Sequence, residues 1–262
     1  DRIVSARMQG RVGPPVFQPF YDVFKLWEKE DITVNKIQDF YIICFLLFVV
    51  VTGGFFFAGE SLLMVIFTLT LASAFLILAA YSSNSPYAQV GAERELLMTM
   101  AYEPMVLMTA IGFYMQLGSF RVDDILATDS MPLLPLIGVF AGYIYILTIK
   151  FRKSPFDLST SHHGHQELVK GLTTEFSGKT LALVEVAHWY ENVFLLGIVF
   201  LFFMNGTALM TVIGLILCVL VYFFEVFIDN TFARIKWQLT LNYAWVVAFV
   251  LGGINLFIII LS

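Results

Sequence analysis

The sequence predicts an all-α, polytopic bundle of seven membrane-spanning helices, and three observations lead to this fold class. Of the 262 residues, 59% are hydrophobic and 13% are charged, with a mean hydropathy of +0.82, whereas soluble domains carry about 25% charged residues. The apolar residues are gathered into seven long segments. When each segment is counted as one crossing, nearly all Lys and Arg residues fall on one side. The net charge of −5 gives no reason to expect a nucleic-acid partner.

Most of the apolar segments approach the ~20 residues that a helix needs to cross a hydrocarbon core. Inside lipid, backbone polar groups must bond within the segment, so helices are predicted rather than strands. The predicted helices cover residues 37–58, 61–81, 96–118, 132–150, 181–204, 207–228 and 239–261. Residues 1–35 are predicted to form a cytoplasmic amphipathic loop or helix, and residues 36–262 a transmembrane domain with a polar loop at 151–180.

The basic residues predict the orientation of the chain. Arg121 is the one residue among the 15 Lys and Arg that falls on the side opposite the N-terminal segment. That opposite side also carries Asp123, Asp124 and Asp129. Because positively charged loops remain in the cytoplasm, we expect a multi-pass protein of the cell membrane. Its N-terminal segment and its 151–180 loop are expected on the cytoplasmic side.

Glu103 lies within the third predicted helix, and ionisable residues in a spanning helix are costly and are therefore functional candidates. Pro104 follows it and can kink the helix, because proline removes a backbone hydrogen bond. A kink beside a buried carboxyl group can admit water, which favours a role for Glu103 in an ion path. The alternative is a carboxyl group near the interface that hydrogen-bonds a neighbouring helix.

The fifth predicted helix carries Glu185, His188 and Glu191 at a spacing of three. Residues three or four apart share one helix face, so His188 is expected between two carboxylates. Imidazole can accept a proton on one nitrogen and release it from the other, which suits a proton relay. The alternative is a polar patch that joins neighbouring helices by hydrogen bonds.

Two further groups stand at the cytoplasmic ends of the predicted helices. Glu225 and Asp229 are four residues apart and either belong to an ion path or are simply solvated. His162, His163 and His165 cluster in the 151–180 loop, but their spacing matches no standard zinc motif. We therefore predict no metal site there, and expect protonatable groups at an entrance or contacts to a partner subunit.

The two cysteines, Cys44 and Cys218, lie inside apolar runs and are expected to be small buried hydrophobic residues. An iron–sulfur cluster usually needs about four ligands. Any redox centre is therefore expected in another subunit.

Six stretches, most of them in polar loops, carry a family resemblance. They are DRIVSARMQGRVGPP (1–15), QPFYDVFKL (18–26), AERELLMTMAYEP (92–104), SPFDL (154–158), QELVKGLTTEFSG (166–178) and DNTFARIKWQL (229–239). In this order they resemble the H subunit of bacterial complex I and its relatives in energy-converting [NiFe] hydrogenases and formate hydrogenlyase. The family has eight spanning helices, and the resemblance implies that this chain begins after the first.

The resemblance implies an oxidoreductase subunit that has no redox centre of its own. Such a subunit anchors a peripheral arm, which consists of a [NiFe] large subunit and a small subunit with [4Fe-4S] clusters. It couples ferredoxin-linked proton reduction or H2 oxidation to H⁺ or Na⁺ translocation, together with an antiporter-like membrane subunit. The tyrosine–glutamate pair of the family matches Tyr102 and Glu103.

The first loop indicates the hydrogenase branch of this family. RVGPP runs almost directly into QPFYDVFKL, whereas complex I members have a longer loop with a second glycine–proline unit. Lys150 stands where the family usually has Glu, and His188 where complex I has Glu. The histidine-containing loop is similar to the membrane component (the B subunit) of Ech-type hydrogenases. The alternatives are the quinone-site subunit of a complex I-like dehydrogenase and a stand-alone transporter, although the sequence shows no internal repeat typical of transporters.

These arguments give two sets of candidate residues and no catalytic residue or cofactor within this chain. The ion-path set is Glu103, Lys150, Glu185, His188, Glu191, Glu225 and Asp229. The set expected at the contact with the peripheral arm or at the entrance is Arg7, Arg11, Gln18, Arg94, Glu95, Asp157, His162, His163, His165, Glu167 and Glu175.

Overall fold

The computed structural model describes residues 1–30, 35–128, 130–153, 156, 171–233 and 235–261. Within these residues the chain is all-α, as predicted, and the only extended pairings are two isolated bridges, Ser61 with Arg121 and Phe156 with Ile235. The helices are α1 (Arg2–Met8), α2 (Gln18–Trp27), α3 (Lys36–Phe57), α4 (Leu62–Tyr81), α5 (Pro86–Leu117), α6 (Val122–Leu126), α7 (Ile137–Lys150), α8 (Gly178–Leu201), α9 (Ala208–Thr231) and α10 (Trp237–Leu261). A 3₁₀ turn at Gly171–Thr173 precedes α8, and α10 contains a π-helical stretch at Ala248–Gly253.

All seven predicted segments are helical in the described part of the chain, and six of them are long enough to cross a membrane. Helices α3, α4, α5, α8, α9 and α10 are long and apolar enough to cross a membrane, and α7 is a shorter apolar helix of 14 residues. Hydrogen bonds join neighbouring helices at both ends of the bundle. Asn35, before α3, donates a hydrogen bond of 3.0 Å to the carbonyl of Ser82, after α4. On the other side, the N–H of Leu62 in α4 donates to the carbonyl of Phe120, after α5, at 2.8 Å.

Helix α5 begins at Pro86, whereas the sequence predicted a start at residue 96. Its 32 residues give a length of about 48 Å, which exceeds a hydrocarbon core of about 30 Å. Hydropathy follows only the part within the apolar core, and for this reason the polar first turns were not predicted as helix. This extension supports the 3₁₀ turn, because a Cβ atom at Gly91 would lie 2.4 Å from the backbone nitrogen of Leu172.

Helix α7 begins at Ile137, later than the predicted residue 132. Pro132 and Pro135 account for the late start, because a proline has no N–H group and keeps the preceding residue out of the helical region. Asn255 of α10 caps the start of α7. Its side-chain oxygen accepts from the N–H of Val139 at 3.1 Å, and its amide donates to the carbonyl of Pro135 at 3.0 Å.

The other end of α7 lies inside the bundle. Its last residue, Lys150, contacts Glu191, which is about 20 Å along α8 from the start of that helix. Arg152 adopts a φ of +54°, a left-handed conformation that costs roughly 1–2 kcal/mol for a residue with a side chain. Lys153 is still buried. The chain therefore turns sharply inside the bundle in the first residues of the 151–180 loop.

Helix α1 lies against the end of α9, and α2 lies against the middle of α8. Asn230 of α9 donates to the hydroxyl of Ser5 at 3.1 Å and accepts from the amide of Gln9 at 3.0 Å. Phe20 of α2 packs edge-on against Trp189 of α8, with ring centroids 5.1 Å apart. The N-terminal segment is thus attached to two helices that carry candidate ion-path residues.

Candidate functional site: buried ion pairs within the bundle

Four side chains from α5, α7 and α8 form a polar group that we call the central cluster: Tyr102, Lys150, His188 and Glu191. Lys150 Nζ lies 3.3 Å from Glu191 Oε1, and His188 Nδ1 lies 3.3 Å from Glu191 Oε2. The ammonium group of Lys150 also lies 4.1 Å from the centroid of the Tyr102 ring. The Lys150 and Glu191 side chains are only 6% and 10% exposed. Their charges are therefore stabilised by each other rather than by solvent.

Local structure explains how these groups are oriented. The spacing of three on α8 places His188 and Glu191 on one helix face. The Tyr102 hydroxyl shares a hydrogen bond of 3.1 Å with the hydroxyl of Thr99, one turn earlier on α5. Phe45 of α3 packs edge-on against the His188 ring, with centroids 5.8 Å apart. The imidazole is thus held between an apolar ring and a carboxylate.

A cavity of about 20 Å³ adjoins the central cluster, which is room for about one water molecule. Its charged lining consists of Glu95, Lys150, Arg152 and Glu191. Arg152 pairs with Glu95 at 3.4 Å, so two ion pairs face the same space. The left-handed backbone at Arg152 aims its guanidinium toward α5, which is consistent with the observation that strained residues cluster at functional sites.

A second polar group surrounds the end of α9, and we call it the α9 cluster: Asp1, Lys153, Glu225 and Asp229. Glu225 is fully buried, and neither carboxyl oxygen has a hydrogen-bond partner within the described residues. Lys153 Nζ lies 2.6 Å from Asp1 Oδ2 and 3.9 Å from Asp229 Oδ2. Burial lowers the pKa of Lys153, and the carboxylates of Asp229 and Glu225 oppose this shift. Simple solvation, one of the two alternatives for the pair on α9, is therefore wrong for Glu225.

The structure does not place Glu103 or Glu185 in the central cluster. One carboxyl oxygen of Glu103 is buried without a hydrogen-bond partner in the described part of the chain. Glu185 makes no hydrogen bond or ion pair with any residue that the structure describes, so His188 has a carboxylate partner on one side only. The spacing of three predicted Glu185 and Glu191 equally as partners of His188. Contacts with other helices determine that only Glu191 pairs with it among the described residues.

The residues expected to meet a peripheral arm divide into three groups. Arg7, Arg11 and Glu175 are exposed. Gln18 donates to Asp22 at 2.8 Å, Arg94 lies over the ring of Trp237 at 6.0 Å, and Glu95 faces the cavity instead of the surface. Outside the described residues lie Asp157, His162, His163, His165 and Glu167.

Sequence reasoning missed Asp1 and Lys153 of the α9 cluster and Arg152, which lines the cavity. A basic run beside a spanning helix is normally interfacial, so the sequence gives no sign that this run turns inward. The one signal in the sequence is the pair Pro132 and Pro135, which predicts a late start of α7. The helix that begins at Ile137 is short, and its last residues lie inside the bundle.

Comparison with known proteins assigns a family to this arrangement. The family model described as NADH dehydrogenase matches residues 1–260. The chain belongs to the NADH dehydrogenase family. The resemblance to the H subunit of complex I is thereby confirmed, and the chain is a membrane subunit of a respiratory oxidoreductase complex.

Relatives of this NADH dehydrogenase family member come from several kinds of complex. Hydrogenase-4 component C of Escherichia coli is 28% identical over 94% of this chain and 85% of the relative. The H subunit of NADH-quinone oxidoreductase from Carboxydothermus hydrogenoformans is 27% identical over 98% of this chain and 81% of the relative. A chain in the structure of the membrane-bound sulfane sulfur reductase, an archaeal respiratory membrane complex, superimposes with a TM-score of 0.88 at 25% identity, covering 98% of this chain and 91% of the other.

The chemistry that the central cluster can perform is proton exchange. Glu191 is shared between an ammonium and an imidazole, so withdrawal of either partner changes the proton affinity of the remaining pair. His188 can hold a proton and pass it on. Among the described residues, no group of three or more His, Cys, Asp or Glu side chains is arranged to hold a metal ion.

Proposed function

We propose that this chain is the membrane subunit through which the redox arm of an energy-converting [NiFe] hydrogenase drives translocation of H⁺ or Na⁺. The observation that carries the proposal is the pairing of Lys150 and His188 with one carboxylate, Glu191, inside a membrane bundle. Ionisable groups kept at such a depth are functional by default. Glu103, Glu185, Glu225 and Asp229 complete the proposed path.

The geometry supports a mechanical connection between docking segments and this cluster. Phe20 of the N-terminal segment contacts Trp189, the residue next to His188. Lys150 and Arg152 stand where α7 passes into the 151–180 loop, and both line the cavity. A partner that shifts either segment during its redox cycle would shift the cations beside Glu95 and Glu191. In a low-dielectric interior, a change in the distance between two opposite charges alters their interaction energy by several kcal/mol.

We propose that electrons never enter this chain. It has two cysteines, on α3 and α9, and a [4Fe-4S] cluster usually takes about four ligands. The [NiFe] centre and the clusters would belong to large and small subunits on the cytoplasmic side, with ferredoxin as the electron carrier. The exposed Arg7, Arg11 and Glu175 remain candidates for contact with that arm, and an antiporter-like subunit would continue the ion path in the cell membrane.

Two observations support the hydrogenase branch and its Ech-type members: the short first loop and the similarity to hydrogenase-4 component C. The second candidate is the quinone-site subunit of a complex I-like dehydrogenase, which the similarity to the H subunit of NADH-quinone oxidoreductase favours. Mass spectrometry of the intact complex, purified through this subunit, separates the two. A [NiFe] large subunit supports the first, and bound quinone without nickel supports the second.

The ion-path assignment is tested in proteoliposomes that contain the purified complex. Electrons are supplied by reduced ferredoxin, and H2 evolution and ion uptake are measured together. We expect Glu191→Gln, His188→Ala and Glu103→Gln to lower the number of ions moved per H2 while uncoupled H2 evolution continues. Glu60→Gln, an exposed residue on the opposite side, is the matched control. Unchanged coupling in all three path variants rules out the relay.

A further inference from the structure

The α9 cluster contains a buried carboxyl group, that of Glu225, and an ion pair that holds the N-terminal segment. One lysine, Lys153, takes part in that ion pair and lies close to Glu225. Lys153 Nζ contacts Asp1 at 2.6 Å and Asp229 at 3.9 Å, and its side chain is 4% exposed. Glu225 lies one helical turn before Asp229, on the same face of α9. A single ammonium group therefore stands among three carboxyl groups.

Glu225 is the most deeply buried carboxyl group of this cluster. Both of its oxygens are buried without a hydrogen-bond partner in the described part of the chain. The hydroxyl of Thr148 on α7 donates to the carbonyl of Ile144 at 3.2 Å. An ionised carboxylate in such a place needs a cation, whereas a neutral carboxyl group does not. The arrangement seen, with Lys153 directed to Asp1, suits a neutral Glu225.

We propose that Glu225 is a proton-storage site whose ionisation draws Lys153 away from Asp1 and so loosens α1. When Glu225 holds its proton, Lys153 pairs with Asp1 and Asp229, and the N-terminal segment is fastened. When Glu225 releases that proton to water on this side of the bundle, its new negative charge attracts Lys153. Among the residues that the structure describes, the charged and titratable groups that face this site are Lys153 and Asp229, Asp1 just before α1, and Tyr222 of α9, whose ring lies 5.6 Å from Lys153 Nζ.

The consequence is a two-way link between docking and protonation. Because linkage is reciprocal, a partner that holds α1 in place raises the affinity of Glu225 for its proton by the same factor. Two other contacts hold α1 and do not involve Glu225. They are the hydrogen bond between Asn230 and Ser5 and the ion pair between Arg2 and Asp22 at 2.7 Å. Loss of the Lys153–Asp1 pair thus loosens α1 without releasing it. Assigning this segment to the redox arm rests on the proposed function, but the link itself does not.

The test is hydrogen–deuterium exchange of the peptide that contains α1, in the intact complex, over a pH series corrected for intrinsic exchange. In the wild type we expect protection of α1 to fall about fivefold as pH rises, the factor for losing one partly exposed ion pair. In Glu225→Gln, which stays neutral at every pH, protection should remain high and independent of pH. The same pH step in Glu225→Gln as in the wild type, or no step in the wild type, overturns the proposal.

Two further variants keep the test decisive if Glu225→Gln fails to assemble. Asp1→Asn removes the ion pair at an exposed residue, so α1 should be loose at low pH already and show no pH step. Asp22→Asn removes the other ion pair of the segment and should lower protection while retaining the step. A retained step in Asp1→Asn contradicts the proposal. These readouts need neither H2 evolution nor ion transport, so they can fail while the proposed function stands, and the reverse.

Discussion

Replacement of Lys150 by methionine is the sharpest probe of the central cluster. Methionine keeps the unbranched shape of the lysine stem but removes the ammonium group that lies 3.3 Å from Glu191. Glu191 then remains in a site where its side chain is 10% exposed. His188 is its one remaining partner within the cluster, at 3.3 Å. The variant therefore creates a buried charge with half of its former compensation.

The expected cost follows from the burial of the pair. Removal of one partner of a buried ion pair typically costs about 3–5 kcal/mol, because the other charge is left uncompensated. We expect the lower end, about 3 kcal/mol, since His188 can become protonated and stabilise Glu191. That energy corresponds to about a hundredfold change in an opening equilibrium. The double variant Lys150→Met/Glu191→Leu removes both charges of the pair and should be close to the wild type, because apolar replacement of a whole pair is often neutral.

Hydrogen–deuterium exchange of the purified complex measures this difference locally, because exchange rates report the free energy of opening. Peptides from α7 and α8 should exchange about a hundredfold faster in Lys150→Met and near the wild-type rate in the double variant. Lys25→Met, which changes an exposed lysine on α2, is the control and should alter neither peptide. Equal exchange in Lys150→Met and the wild type, or additive losses in the double variant, would refute the claim that the two side chains stabilise one another.

Three further predictions concern the contacts around the clusters. Gly91→Ala places a Cβ atom 2.4 Å from the nitrogen of Leu172, so the 3₁₀ turn must move, and overpacking of about 1–3 kcal/mol should appear as faster exchange of residues 171–177. Phe20→Ala removes the edge-on contact with Trp189 at 5.1 Å, and α2 should lose about 0.5–1.5 kcal/mol of protection, whereas Phe20→Tyr should keep it. Burial lowers the pKa of Lys153, so the unfolded chain binds that proton more tightly, and the free energy of unfolding should rise with pH up to about 10.4. Lys153→Arg, whose guanidinium stays protonated, should lack this rise, and a rise of equal size in the variant contradicts the assignment.

The spanning helices could be predicted from sequence because lipid imposes a simple rule: apolar length. That rule reports only where a helix lies in lipid and not where it ends. Helix α5 therefore extends beyond its apolar part, and its early start at Pro86 is stabilised by contact with the 3₁₀ turn. Helix α7 is shorter than its apolar segment because Pro132 and Pro135 exclude helix there.

The candidate site was predictable where it depends on one helix and not where it depends on several. The spacing of His188 and Glu191 already placed both side chains on one face of α8. Equal spacing on the other side of the histidine did not yield a contact with Glu185. The partner that decides the electrostatics, Lys150, comes from another helix. No local pattern identifies such a pair, because a basic residue at a helix end usually signals the membrane interface.

The three cations that pair with the buried carboxylates come from one short stretch of the chain. Lys150, Arg152 and Lys153 fall within four consecutive residues at the end of α7. They pair with carboxylates on α8 and α5 and, through Lys153, with Asp229 of α9. Arg152, within this stretch, has a left-handed backbone conformation. Displacement of this single turn therefore changes the charge balance of Glu95, Glu191 and the α9 cluster together, although these carboxylates lie on three separate helices.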